Sequence, residues 1–191
     1  MTLFPIVRAL TISALVGLGN APLWAQQKLQ LAQSEIVFTS KQMGVPVEGR
    51  FKKFDAQIAF DPAKPAAGKI AFSVDMSSAT LGSKETDAEL PKADWFNTAK
   101  FAQATFQSGA IKGLGAGKFE VAGKLTIKGV TQDLWVPVSL TQSGNSTIAT
   151  GTFVLKRLVF KIGDNEWSDT SMVADEVQVK FKFALTGVGK L

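Results

Sequence analysis

Residues 176–185 read EVQVKFKFAL, and polar and apolar side chains alternate along most of this segment. A side-chain period of two is typical of a β-strand with one buried face. The segment therefore predicts a half-buried strand. Its apolar side consists of Val177, Val179, Phe181, Phe183 and Leu185, set against Glu176, Gln178, Lys180 and Lys182.

The same alternation recurs along the rest of the chain. It is strong in residues 54–60, 70–76, 119–127 and 134–140, and weaker in about 30–39, 45–51, 102–111 and 147–155. These segments predict eight or nine strands. A loop with two prolines, residues 61–68, joins the first two strong strands, because proline cannot donate to a sheet ladder.

One segment departs from the strand pattern and predicts a short helix over residues 83–90. Ser83 is a candidate N-cap, acidic residues occupy the first turn, and Pro91 follows the end. Strands about 10–15 residues apart, with one short helix among them, cannot supply the crossovers that parallel sheets need. The sheet is therefore expected to be mostly antiparallel.

An antiparallel all-β chain of this kind folds as a barrel or a sandwich, and we favour the barrel. Each strong strand has one continuous apolar face. Eight antiparallel strands can close around an interior that is filled by side chains or holds one small ligand. The prediction is an all-β, antiparallel, eight-stranded barrel with one short helix.

The composition limits the chemistry that the protein can perform. The 191 residues predict one domain with an appendage, and they include no Cys, His or Tyr. Ser/His/Asp and Cys/His catalytic sites are therefore excluded, as is a zinc site with sulfur or imidazole ligands. The net charge is +5 for the full chain and a mild +4 without Arg8, which lies in the predicted signal segment described next.

The amino-terminal segment predicts an export signal. Arg8 precedes a mostly apolar run, residues 9–19, and Asn20, Pro22 and Ala25 follow. The run is shorter than the roughly 20 residues that span a bilayer, so no transmembrane anchor is expected. We predict a signal peptide at 1–25 and one domain at 26–191; a buried N-terminal helix is the alternative.

The polar motifs give weaker signals. The glycine-rich residues 112–118 fit neither dinucleotide nor phosphate-loop spacing and predict a hairpin. Singly spaced lysines without exposed aromatics argue against nucleic-acid binding. Two clusters of acidic residues could supply carboxylate pairs for glycoside hydrolysis, but solvated loop residues are the simpler interpretation. No calcium-loop pattern occurs in either cluster. The two clusters are Glu85, Asp87, Glu89 and Asp94, and Asp164, Glu166 and Asp169.

The interior is expected to be rich in phenylalanine. The chain has 14 Phe and no Tyr, and Trp95, Trp135 and Trp167 lie beyond the predicted signal peptide. Phenylalanine without tyrosine implies an interior with few polar groups, which suits hydrocarbon. Composition alone does not separate a filled barrel from a hollow one.

Three ordered motifs resemble the YceI-like family of exported bacterial proteins. They are GRF at 49–51 with FDAQIAFDP at 54–62, then ELPKADWFN at 89–97 with ATFQS at 104–108, then VAGKLTIKGVT at 121–131, with Arg157 on the next strand. The similarity covers about residues 28–187. The chain has LAQS at 31–34, where many relatives carry Asp and His, and Phe101-Ala102 in place of a Tyr-Pro pair.

The resemblance implies a lipocalin-like barrel that binds a polyisoprenoid or similar amphiphilic lipid in the periplasm, as a carrier and not an enzyme. It implies no required cofactor beyond a bound isoprenoid lipid or quinone, and it allows a homodimer. The segment from Ser83 to Phe96 would shape one mouth of the barrel. The ligand-binding residues predicted from the alternation and this segment are Ile58, Phe60, Phe72, Val74, Met76, Leu90, Trp95, Phe96, Phe106, Val121, Leu125, Val136, Val138, Phe153, Leu155, Phe181 and Phe183.

Two other functions stay open at this point. One is a packed barrel that acts as an interaction or stress-protective module with no bound ligand. The other is a carboxylate-based hydrolase. Neither catalytic nor metal-binding residues are predicted for the carrier.

Overall fold

The computed structural model describes residues 27–191, so the predicted signal peptide lies outside the described residues. The described chain is built almost entirely from β-strands, with one six-residue α-helix, α1 (Lys84–Glu89). Within residues 27–191, no helix has the length and hydropathy of a membrane-spanning segment. The strands are β1 (Lys28–Leu29), β2 (Glu35–Gln42), β3 (Val45–Phe51), β4 (Phe54–Ala59), β5 (Lys69–Asp75), β6 (Ala79–Thr80), β7 (Gln103–Gly115), β8 (Lys118–Ile127), β9 (Val130–Ser143), β10 (Ser146–Lys156) and β11 (Glu176–Thr186).

The strands form one antiparallel sheet in the order β4-β5-β7-β8-β9-β10-β11-β2-β3-β6, with β1 beside β11. Only Lys52 and Lys53 separate β3 from β4, and β3 pairs with β2 while β4 pairs with β5. This run of chain therefore connects the two ends of the sheet and curls it into a barrel. If β3 and β4 are counted as one bent strand, the wall has eight long strands. The predicted antiparallel, lipocalin-like barrel is confirmed.

The local elements follow the sequence signals closely. Ser83 caps α1 by accepting a hydrogen bond at 3.4 Å from the backbone N–H of Thr86, and the helix ends before Pro91. The glycine-rich segment is the tip of the β7–β8 hairpin. The expectation of a strand from residue 30 is wrong for residues 31–33, which form a 3₁₀ turn. The Ser34 hydroxyl closes that turn by donating to the Gln30 carbonyl at 2.8 Å.

Buried apolar residues form two clusters, one toward each end of the barrel. We call the first the base cluster: Ile36, Phe54, Phe60, Ile111, Phe119, Val121, Leu140, Ala149, Val179, Phe183 and Leu185. We call the second the mouth cluster: Met76, Ala79, Leu90, Phe96, Ala104, Ile127, Phe160 and Ile162.

Candidate ligand-binding cavity

The barrel interior contains a cavity of about 440 Å³. This volume lies within the range of roughly 300–1,000 Å³ that is typical of small-molecule sites. Several lumen phenylalanines, among them Phe72, Phe153 and Phe181, are only partly buried although they face inward. Their exposed area faces the cavity, so side chains do not fill the barrel.

Every one of the predicted ligand-binding residues lines this cavity. Most of them occupy the inward faces of β4, β5 and β7–β11. Phe60 and Met76 directly follow β4 and β5, and Leu90, Trp95 and Phe96 approach from the segment after α1. The strand members of this set therefore face the interior, as the period-two alternation indicates. Contact between these residues and a ligand stays a prediction.

Sequence reasoning missed the lining contributed by β2 and β3. Ile36, Phe38, Val47 and Phe51 all border the cavity. The apolar Val37 interrupts the alternation in β2, and the inward positions nearer the mouth are polar. The pairing of Phe38 with Gly49 across the two strands identifies this inward face, and it requires the sheet register.

Three inward phenylalanines lie over inward glycines, which leaves the centre of the barrel empty. A Cβ atom at Gly49 would overlap the Phe38 ring, and one at Gly151 would overlap the Phe181 ring. A Cβ atom at Gly123 would lie 2.5 Å from Cζ of Phe106. Since glycine has no side chain, each ring can lie flat against the wall, an arrangement that also protects glycine backbone in sheets.

The remaining lumen aromatics pack on one another. The Phe183 ring stacks on Phe72 with a centroid separation of 4.6 Å and on Phe181 at 4.7 Å. Lower in the barrel, Phe60 and Phe119 meet edge to face at 5.1 Å. Offset or edge-on ring pairs of this kind add stability beyond their buried area. The result is an aromatic surface without polar side chains in this part of the lining.

Arg157 organises the loops at the mouth. It is 2% exposed, and its guanidinium donates to five backbone carbonyls. Arginine has five N–H donors, so all of them are satisfied. Burial lowers the pKa of this guanidinium, and the nearby Asp175 carboxylate opposes that change. The accepting carbonyls are those of Ile162, Gly163, Trp167, Val173 and Ala174.

A second set of polar contacts joins the loop after α1 to the loop held by Arg157. The buried ammonium of Lys128 donates to the backbone carbonyls of Asp94 and Lys161. The Asn165 amide donates to the Asp94 carboxylate at 2.8 Å. The indole rings of Trp95 and Trp167 pack together above them at 5.5 Å. The two loops therefore form one joined structure over part of the cavity.

Two of the acidic side chains that could have formed carboxylate pairs instead brace neighbouring segments. Asp87 accepts hydrogen bonds from the Thr80 hydroxyl at 2.5 Å and the Leu81 N–H at 2.6 Å, and these bonds lower the pKa of its carboxyl. Asp169 accepts from the Ser171 hydroxyl and N–H, which lowers its pKa likewise. Within residues 27–191, no group of three or more acidic side chains is placed to hold a metal ion.

Solved structures share this fold. BcnA of Burkholderia cenocepacia is 46% identical with a TM-score of 0.80, over 82% of this chain and 99% of that chain. A YceI protein of Campylobacter jejuni is 23% identical with a TM-score of 0.66, over 72% and 83%. A Saccharophagus degradans domain described as polyisoprenoid binding is 17% identical with a TM-score of 0.69, over 84% and 98%. The last two similarities concern the fold alone.

Curated relatives match over a shorter region. A UPF0312 protein of Shewanella baltica strain OS185 is 38% identical over 104 residues, which is 54% of each chain. A UPF0312 protein of Vibrio cholerae is 32% identical over 114 residues, or 59% of this chain and 60% of the relative. The chain thus spans about half the length of the curated relatives that it matches. The family model described as a YceI-like domain matches residues 27–185, and the chain therefore belongs to the YceI-like family.

Proposed function

We propose that this protein is a non-catalytic carrier that holds a polyisoprenoid or a similar amphiphilic lipid, with the lipid tail in the barrel cavity. The observation that supports this most directly is an apolar cavity of about 440 Å³ inside the wall. Transfer of hydrocarbon from water contributes about 0.8 kcal/mol per CH₂ before the costs of ordering. A tail can therefore bind this lining without a single hydrogen bond.

The comparisons support the same function at a coarser level. The chain belongs to the YceI-like family, and a structural neighbour from Saccharophagus degradans is described as polyisoprenoid binding. The packed-barrel alternative requires a filled interior, which the cavity argues against. The hydrolase alternative needs paired carboxylates, but one member of each acidic group is bound instead to hydroxyl and backbone donors: Asp87 to Thr80 and Leu81, and Asp169 to Ser171.

Uptake of a defined lipid tests the proposal. Trp95 and Trp167 line the cavity, Trp135 lies on the outside with 61% of its surface exposed, and the chain has no tyrosine. In a Trp135→Phe protein that lacks residues 1–25, tryptophan fluorescence therefore reports the mouth. Titration with the C20 alcohol geranylgeraniol should change this signal saturably, at one lipid per chain.

A lumen-filling variant and its neighbour provide the matched control. Ala149 is buried on the inward face of β10, and Thr150 is exposed on the outward face. Ala149→Phe should reduce uptake at least tenfold, whereas Thr150→Phe should leave it unchanged. Equal uptake by both folded variants, or no uptake by the parent protein, would contradict the carrier function.

We also propose that the carrier acts in the periplasm after removal of residues 1–25. The support is the signal-like pattern of Arg8 and the apolar residues 9–19. Intact mass analysis of the protein from a periplasmic extract should give a chain that begins at Gln26. A chain that retains Met1, or one found only in the cytoplasmic fraction, would contradict this.

A further inference from the structure

The inward face of β2 changes character as the strand approaches the mouth. Ile36 and Phe38 line the cavity within the barrel, and Ser40 and Gln42 line it farther along the same face. Across the mouth edge, Thr86 and Glu89 of α1 also border the cavity. We call these four residues, Ser40, Gln42, Thr86 and Glu89, the polar rim.

The polar rim lies on one side of the mouth. Strands β2, β3 and β6 are consecutive in the sheet, and α1 follows β6 after a short loop. Asp87 fixes α1 against this edge through the Thr80 hydroxyl and the Leu81 N–H. Leu81 in turn reaches the Gly49 position that Phe38 covers. The rim therefore sits directly above the apolar lining.

The polar rim offers hydrogen-bonding groups but no free cation. Among the described residues that line the cavity, the charged ones are Glu89 and Arg157. All five donors of Arg157 are bonded to carbonyls, and the Glu89 carboxylate pairs with Lys92 at 2.6 Å. What is left is uncharged: the Ser40 hydroxyl, the Gln42 amide and the acceptor side of the Thr86 hydroxyl, which donates to the Ser83 carbonyl at 3.1 Å. The buried Ser40 Oγ has no hydrogen-bond partner, which is costly for a native polar atom.

Resting on the proposed carrier function, we propose that the polar rim receives an uncharged polar head group, such as an alcohol, amide or carbonyl, and disfavours a phosphate or carboxylate. An anion that leaves water needs a cation or several donors to offset its lost hydration. The lining cation that could serve is committed to the loops, and the other charged lining residue, Glu89, is itself an anion paired with Lys92. A hydroxyl or amide needs only the groups that the rim presents.

Three lipids with matched C20 chains test the inference: geranylgeraniol, geranylgeranyl diphosphate and the headless hydrocarbon phytane. Fluorescence titration should give the alcohol at least about tenfold higher affinity than the diphosphate, and higher affinity than phytane. Binding of the diphosphate as tight as that of the alcohol overturns the inference. Equal binding of phytane and the alcohol also overturns it, while the carrier function stands. No binding of any of the three overturns the carrier function itself.

A charge introduced at the rim tests whether the rim itself contacts the head group. It separates that contact from the cost of removing the head group from water. Gln42→Lys places a cation on the cavity lining, so it should raise the affinity for the diphosphate about tenfold and leave phytane unaffected. Thr150→Lys is the control, because it adds the same charge on the exposed outward face of β10 and Thr150 does not line the cavity. Equal effects of the two lysines on diphosphate binding overturn the inference.

Discussion

The two ends of the barrel are held together by different forces. At the base, apolar side chains such as Phe60, Ile111 and Phe119 pack directly on one another. At the mouth, the loops are joined by bonds from Arg157 and Lys128 to backbone carbonyls. The base cluster closes its end of the cavity by apolar packing. At the mouth, polar bonds order the loops around the smaller mouth cluster.

The strongest way to break this comparison is to remove the mouth cation. Arg157→Met should lower the free energy of unfolding by about 3–5 kcal/mol, because five buried carbonyls lose their donor at once. Urea denaturation measures the change. Arg50→Met is the matched control: Arg50 is exposed and pairs with Glu48 at 3.6 Å, so its loss should cost less than about 1 kcal/mol. Similar losses for both variants would contradict the role of Arg157.

Substitution of a glycine that lies beneath a cavity-lining ring tests the packing of the wall between the two ends. Gly151→Ala should destabilise the protein by about 1–3 kcal/mol and weaken geranylgeraniol uptake, because the new methyl group forces Phe181 inward and meets the Pro137 carbonyl at 2.8 Å. Gly109→Ala is the control, since its Cβ would meet nothing closer than 3.9 Å. Unchanged uptake by Gly151→Ala would show that the ring need not lie flat.

Paired truncations of phenylalanine sharpen the contrast between filled and hollow regions. Phe119→Ala, at the base, should cost about 3–5 kcal/mol, because this ring is buried and packs edge to face on Phe60. Phe72→Ala, on the lumen wall, should cost only the transfer component of about 1.5–3 kcal/mol, because empty space already lies on one side. Chemical denaturation without lipid measures both. Equal costs would indicate a lumen that is packed in solution.

The smallest expected effect concerns Asp87 and acid. Its carboxyl pKa is lowered by the Thr80 hydroxyl and then by the Leu81 N–H, so the charged form is favoured in the folded state. The associated stability is present above the ordinary aspartate value of 3.8 and is lost as the pH falls from there through the lower folded pKa. Asp87→Asn should flatten this acid-dependent loss in urea midpoints. Asp133 forms an exposed ion pair with Lys124. Asp133→Asn should leave the dependence of the urea midpoint on pH unchanged.

The wall could be predicted from the sequence because it depends on local alternation. Inward positions such as Phe72, Val121 and Phe183 follow directly from a period of two. The face of β2 could not, because Val37 obscures the pattern and the register with Gly49 is a long-range property. The pairing of Phe181 with Gly151 likewise depends on how β10 and β11 align.

The mouth was harder still to predict from the sequence. Arg157 stood out only within the family resemblance, and its role depends on carbonyls 5 to 17 residues farther along the chain. The loop conformation brings those carbonyls together, and a repeating side-chain pattern does not predict that conformation. The signal peptide, the periplasmic location, a bound quinone and a homodimer stay predictions.

Phenylalanine rings that pack over glycines give the cavity a wall with no protruding side chains at these positions. Below the rim, the rings of Phe38, Phe106 and Phe181 offer a guest no hydrogen bond that would single out one carbon of its tail. A chain can therefore slide along the axis until its head meets the polar edge. We expect this barrel to select lipids by the width of the tail and by the chemistry of the head group. We expect it to tolerate different patterns of double bonds along the tail.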